Sequence, residues 1–169
     1  MMRGRTISAL AYTTMDSAIG PLLLAGDQQG LHLVYFVKGR RPKSPEPDWT
    51  EDKKPFHEVI AQLNAYFAGK LWDFALPLVL NGTDFQLQVW RTLQKIPYGE
   101  TTTYGQLARQ IGSPEAARAV GLANGSNPIP IIIPCHRVIG SNGDLTGFGG
   151  GLPIKKKLLE LESKQKTLF

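Results

Sequence analysis

The chain has one cysteine among 169 residues, Cys135, and that scarcity excludes a good deal. No disulfide can form within it, so a disulfide-stapled secreted scaffold is ruled out. The three histidines, His32, His57 and His136, are too scattered to make a ligand-spacing motif with one thiol, and no metal is expected. No apolar run approaches the roughly 20 residues that span a bilayer as a helix. The basic start Met1-Met2-Arg3-Gly4-Arg5-Thr6 has no long apolar segment behind it, so no secretory signal is expected. A lone unpaired thiol suits a reducing, cytoplasmic setting.

What is present is enough to build a core. Hydrophobic residues make up 42% and charged residues 20%, which is not the balance of a disordered chain. The net charge is +5 and uneven: residues 83–169 hold ten Lys and Arg against six Asp and Glu, residues 1–82 nine against eight. A basic second half favours a polyanion such as nucleic acid as partner.

The fold class expected is α/β (α+β), in two parts. Residues 1–82 read as a small sheet-plus-helix domain. Leu22-Leu23-Leu24-Ala25 and Leu31 to Phe36 are apolar runs joined by Gly26-Asp27-Gln28-Gln29-Gly30, which is a hairpin signal. Residues 38–54, rich in Pro and charge, read as an exposed loop. Phe56, Val59, Ile60, Leu63, Tyr66 and Phe67 recur at helical spacing, with Gly69 as a stop. Trp72 to Leu80 reads as one more strand, and Thr83 as an N-cap. Residues 83–169 read as a mostly helical domain with a winged-helix-like helix-turn-helix. A helix carries Phe85, Val89, Trp90 and Leu93. A second covers Tyr104 to Ile111, and a third, Glu115 to Asn124, follows the turn Gly112-Ser113-Pro114. That third helix is unusually small-sided, and only Arg118 and Asn124 on it could read base edges.

Cys135 follows the apolar run Pro128-Ile129-Pro130-Ile131-Ile132-Ile133. A lone cysteine in such a place is ordinarily a small buried hydrophobe. His136 and Arg137 directly after it point elsewhere: cationic neighbours favour the thiolate, the reactive form. The sequence therefore reads as a protein built around one nucleophilic sulfur. Adjacent residues of a regular strand face opposite ways, so Cys135 and His136 can work together only across irregular backbone or a water.

In Pro134-Cys135-His136-Arg137-Val138-Ile139-Gly140 the chain resembles the O6-alkylguanine-DNA alkyltransferases, also called methylated-DNA–protein-cysteine methyltransferases. The likeness extends through Pro97 to Ala108, Ala116 to Gly121, Ala123 to Pro128, Thr146 to Leu152 and Lys155 to Glu162. It is dense over residues 83–169 and general over residues 1–82. Met15 to Pro21 resembles the bacterial single-chain form, with no attached sensor domain.

The resemblance implies irreversible transfer of the alkyl group from O6-alkylguanine in DNA to Cys135, once per molecule and without a cofactor, with O4-alkylthymine left open as a second substrate. His136 acts as base through a water, Glu162 orients it, and Asn127 bridges the turn to the Cys segment. The base is flipped out of the duplex, and Arg118 enters the stack through the minor groove. Tyr104 offers its hydroxyl toward the base, the Gly149 amide serves O6, and the carbonyls of Cys135 and Val138 accept from the base amino group. Phe148 forms an apolar wall. Ala117, Ala119, Gly121, Asn124 and Gln106 complete the DNA-contacting set. The implied partner is double-stranded DNA carrying alkylated guanine, met by a protein that is monomeric in solution, with cooperative assembly along DNA left open. Some relatives have tyrosine at Phe148 and serine at Gly149; the latter change opens the pocket to larger alkyl groups.

Two other classes compete on the residues alone. A cysteine hydrolase could use Cys135, His136 and Glu162, but adjacent Cys-His is uncommon there and the helix-turn-helix would have no role. A DNA-binding regulator without chemistry leaves Pro134-Cys135-His136-Arg137 unexplained.

Overall fold

A computed structural model describes residues 9–40 and 42–166. The Met1 to Thr6 stretch read for targeting lies outside the described residues. Strand β1 (Ala11–Met15) pairs antiparallel with β2 (Leu22–Asp27), and β2 pairs antiparallel with β3 (Gly30–Phe36). The short β4 (Thr50–Glu51) adds to β1 in parallel, giving the order β3-β2-β1-β4. The expected hairpin is therefore β2–β3. β1 gives a weak signal in sequence: Tyr12-Thr13-Thr14 suits a strand by residue type, but its buried face carries Thr13 and breaks the apolar alternation. β4 lies inside the segment read as loop.

The strand expected over Trp72 to Leu80 does not form. Only Leu78 bridges, to Leu31, through Leu31 N–H to the Pro77 carbonyl (2.9 Å) and Val79 N–H to the Leu31 carbonyl (2.9 Å). Pro77 has no N–H to continue a ladder. Gly30 sits against this segment so closely that a Cβ would lie 2.5 Å from the Pro77 oxygen.

Helix α1 (His57–Phe67) buries Val59, Leu63 and Tyr66, and Gly69 at φ 74° ends the turn beyond it. Helix α2 (Asp84–Leu93) starts at a complete capping box between Thr83 and Gln86. The two-residue β5 (Thr102–Thr103) leads into α3 (Tyr104–Gln110), capped in the same way by Thr103 and Gln106. A turn at Gly112 and a 3-10 turn at Pro114–Ala116 lead to α4 (Ala117–Gly125). The helix expected from Glu115 thus becomes α-helical only at Ala117. β6 (Val138–Ile139) pairs parallel with β5, and α5 (Leu152–Lys166) follows the glycine loop.

The two halves share one core. Buried apolar side chains run continuously from Leu24 and Val34 of the sheet through Leu63 and Tyr66 to Trp90, Leu107, Val120, Ile133 and Leu158. Full burial of each such side chain is worth roughly 1.5–3 kcal/mol. Two bonds fix the geometry around the cysteine segment. Val34 N–H of β3 donates to the Pro128 carbonyl (3.0 Å), and the Trp90 indole donates to the Ala123 carbonyl (2.8 Å). No helix among the described residues is long and apolar enough to cross a membrane.

Candidate active site

The segment from α4 to the cysteine is wholly buried from Ile129 to Val138. Its path is irregular. Ile131 adopts φ 74°, a left-handed conformation that a β-branched side chain resists. Asn127 holds the turn: its Oδ1 accepts from the Ile129 amide (2.9 Å) and its Nδ2 donates to the Ile133 carbonyl (2.8 Å). Cys135–Arg137 then form a 3-10 turn. This is the irregular backbone that adjacent Cys and His require if both are to serve one site.

His136 is fully buried, and its Nε2 lies 2.6 Å from Glu162 Oε2. With a carboxylate there, Nε2 carries the proton, which leaves the Nδ1 lone pair free; Nδ1 has no hydrogen-bond partner among the described residues. Glu162 reaches this position from α5, where Lys155, Leu158 and Glu162 share the buried face. Three groups besides His136 donate four hydrogen bonds to its carboxylate. Arg137 Nε donates to Oε1 (2.7 Å) and its Nη2 to Oε2 (3.1 Å). The Gly99 amide donates to Oε1 (3.2 Å), and the Tyr66 hydroxyl to Oε2 (2.6 Å). Burial works to raise the Glu162 pKa, but the His136 hydrogen bond and the hydrogen bonds and charge of Arg137 reverse this and hold the carboxyl far below its usual range. Burial lowers the His136 pKa against the pull of Glu162, so the imidazole is neutral at neutral pH.

Cys135 itself departs from expectation. Burial pushes its thiol up to about 11, only partly offset by the Asn127 hydrogen bond and the Lys155 charge. The resting sulfur is therefore a thiol. Arg137 does not activate it as expected from adjacency: its guanidinium turns to Glu162 and to the Ile96 carbonyl (2.7 Å). The cation that acts on the sulfur is Lys155, fully buried, with its Nζ on the carbonyls of Val138 (2.6 Å) and Thr146 (3.2 Å).

Cys135 lies in the wall of a cavity of about 370 Å³. The cavity is bounded by Val34 and Phe36 of β3, Tyr104 of α3, Gly121 and Asn124 of α4, Asn127, and Gly147 to Gly149. A space of this size is within the usual range for a small-molecule or base-sized ligand. No group of three or more His, Cys, Asp or Glu among the described residues is placed to hold a metal ion.

Two family models match the sequence. The DNA-binding domain of 6-O-methylguanine DNA methyltransferase matches residues 84–164, and the ribonuclease-like domain of the same protein matches residues 10–80. The chain belongs to the 6-O-methylguanine DNA methyltransferase family. Among curated relatives, the methylated-DNA–protein-cysteine methyltransferase of Methanosarcina acetivorans is 55% identical over 89% of this chain and 97% of its own. That of Mycobacterium bovis is 55% identical over 94% of this chain and 98% of its own. A crystal structure of Mycobacterium tuberculosis OGT in complex with DNA superposes with TM-score 0.86 at 54% identity, covering 92% of this chain and 94% of that one.

Within this methyltransferase family, the residues singled out in sequence fall into three groups. Cys135, His136, Glu162 and Asn127 come together as described. Tyr104, Phe148 and Gly149 line the cavity with Cys135 and Asn127. The Tyr104 hydroxyl is hydrogen-bonded to Thr146, and the Val138 carbonyl already accepts from Lys155. A Cβ on Gly149 would meet nothing within 4 Å, so that position is open space. The glycine that close packing requires is Gly150, where a Cβ would lie 2.9 Å from the Phe36 ring.

The third group lies on or near the helix pair. Arg118 and Ala119 are exposed on α4. Leu122, one turn after Arg118, is 74% exposed. Ala117 packs against the core, and Gly121 faces the Tyr104 ring. Asn124, expected on the outer face, is instead buried, its Nδ2 turned toward the Cys135 carbonyl at 3.5 Å. The Gln106 side-chain oxygen is used in capping α3. Sequence reasoning missed Lys155 and Tyr66. Lys155 could have been found from its spacing of three and seven residues from Leu158 and Glu162. Tyr66 looked like core, and nothing local marks its hydroxyl.

Proposed function

We propose that this protein repairs DNA by moving the alkyl group of O6-alkylguanine onto Cys135, one equivalent per molecule. In the step, the Cys135 sulfur attacks the alkyl carbon, the carbon–O6 bond breaks, and a carbon–sulfur bond forms. The thiol proton passes through a water to His136 Nδ1, and the departing guanine takes up a proton in its place. Glu162 keeps His136 in the tautomer that can accept. Asn127 orients the sulfur, and Lys155 favours its anion. A thioether has no leaving group, and no second cysteine exists to relieve it, so the alkylated protein is a final state.

The base reaches the cavity only after it leaves the duplex. Arg118 on the exposed side of α4 fills the gap, with Ala119 allowing close approach. Ala117, Gly121, Asn124 and Gln106 support this helix pair rather than read bases. Phe148 walls the base, the Gly149 amide serves O6, and the open space at Gly149 admits alkyl groups larger than methyl. O4-alkylthymine is a further substrate of the same pocket. The protein acts as a cytoplasmic monomer on double-stranded DNA, and assembly along DNA is an additional property to measure.

The observation that carries this reading is a solitary buried thiol in the cavity wall, followed in the chain by a buried histidine whose Nε2 is held by a buried carboxylate. Incubation with duplex DNA containing one O6-methylguanine should raise the intact protein mass by the net mass of CH2, on Cys135. Product should plateau at one equivalent. Uptake by Cys135→Ser would overturn the assignment of the nucleophile, and sustained turnover would favour a hydrolase.

A further inference from the structure

We propose that Tyr66, on helix α1 of the N-terminal part, is a positioning residue of the alkyl-transfer site, its hydroxyl holding the Glu162 carboxylate and thereby tuning His136 as a base. This rests on the reading of His136 as base given above.

The geometry carries it. Tyr66 is fully buried, and its hydroxyl donates to Glu162 Oε2 at 2.6 Å, the same oxygen that holds His136 Nε2 at 2.6 Å. The two groups therefore share one acceptor. The ring is held edge-on by Phe67 (5.3 Å) and Tyr98 (6.2 Å) and lies 5.5 Å from Phe74, which leaves the hydroxyl little freedom. Burial and the Glu162 charge both push the Tyr66 hydroxyl far up, so it remains protonated and can only donate here.

The charged and titratable groups around this carboxylate come from every element packed on it. They are Tyr66 from α1, Tyr98 from the turn after α2, and His136 and Arg137 from the 3-10 turn, while Lys155 from α5 acts on His136 and on Cys135. Arg137 and Lys155 disfavour a proton on His136, whereas Glu162 favours it. A strong neutral donor on Oε2 draws charge away from the side facing the imidazole. Without it, Glu162 would hold the imidazolium more tightly and leave less neutral base at neutral pH. Tyr66 thus prevents Glu162 from over-stabilising the protonated form of the base it orients. The N-terminal part is then a contributor to the chemistry as well as a packing support.

The test is Tyr66→Phe, which removes only the hydroxyl. The second-order rate of alkyl transfer to Cys135 is measured from about pH 5 to about pH 9 with free O6-benzylguanine, so that DNA binding does not enter. The acid limb should move up by about one pH unit, so that the rate falls by up to about tenfold on the limb, below its wild-type midpoint, while that at about pH 9 stays within about twofold. Adding Tyr66→Phe to Glu162→Gln should produce no further shift, because the charge it modulates is gone. A limb that stays in place, or a rate that falls equally at every pH, overturns the inference. If Tyr66→Phe melts too low to assay, 3-fluorotyrosine at position 66 keeps the ring and strengthens the donor; the limb should then move down, and an unmoved limb overturns the inference. Wild-type protein that fails to take up alkyl on Cys135 overturns the proposed function itself, which separates the two failures.

Discussion

At the scale of single residues, two opposing effects act on one proton. Burial keeps the Cys135 sulfur protonated, with its pKa pushed up to about 11. Burial does the reverse to His136, driving it neutral. The same low-dielectric surroundings therefore leave a thiol that needs a base beside a histidine that can be one. His136→Ala should slow alkyl transfer at neutral pH by roughly 10²–10⁴-fold. The loss should shrink as pH rises toward about 11, because there the thiol ionises without help. In the wild type the rate should instead fall only as pH drops below the ordinary histidine value of 6.5, since the His136 pKa is lowered. Stopped-flow or quench measurements of both proteins across pH check the crossing of these two profiles.

At the scale of elements, helix α4 performs two tasks on two faces. Val120, Ala123 and Asn124 are buried and position the cysteine segment, while Arg118, Ala119 and Leu122 are exposed. The inner face is small-sided because α3 and the Trp90 indole approach it closely. The outer face is where a duplex can meet the protein beside the cavity. Arg118→Ala should therefore slow repair of duplex DNA by at least tenfold and leave the reaction with free O6-benzylguanine within about twofold, since no buried contact is lost. Equal losses on both substrates would remove Arg118 from base flipping and place its effect in the fold.

At the scale of the whole molecule, charge and core are distributed differently. Most of the surplus positive charge belongs to residues 83–169, while the apolar core is continuous across both halves. The sheet reaches the cavity through Val34 and Phe36, and α1 reaches the carboxylate through Tyr66. The basic half should make DNA binding salt-dependent: affinity should fall linearly on a log–log plot against salt, with a slope near −0.9 for each phosphate neutralised. Titration at several ionic strengths measures that slope, and a flat line would contradict an electrostatic footprint. Free O6-benzylguanine should show no comparable salt dependence.

The sequence by itself determined the candidate nucleophile, its His-Arg neighbours and the helix pair, because these are signalled by residue type at short range. A lone cysteine before His-Arg, a glycine-marked turn between two helices, and Thr83 as an N-cap are all local patterns. Glu162 and Asn127 came from the family resemblance and coincide with their places beside His136 and the cysteine segment. Only the tertiary structure decided what lies beyond local reach. It turned Arg137 away from the sulfur to the carboxylate, put Lys155 in its place, buried Asn124, reduced the expected Trp72 to Leu80 strand to a single bridge at Leu78, and brought Tyr66 across 96 residues to Glu162. The physical reason is common to all of these. Burial and hydrogen-bond satisfaction are properties of neighbours in space, and spacing along the chain reports them only where one helix or one turn makes the neighbours.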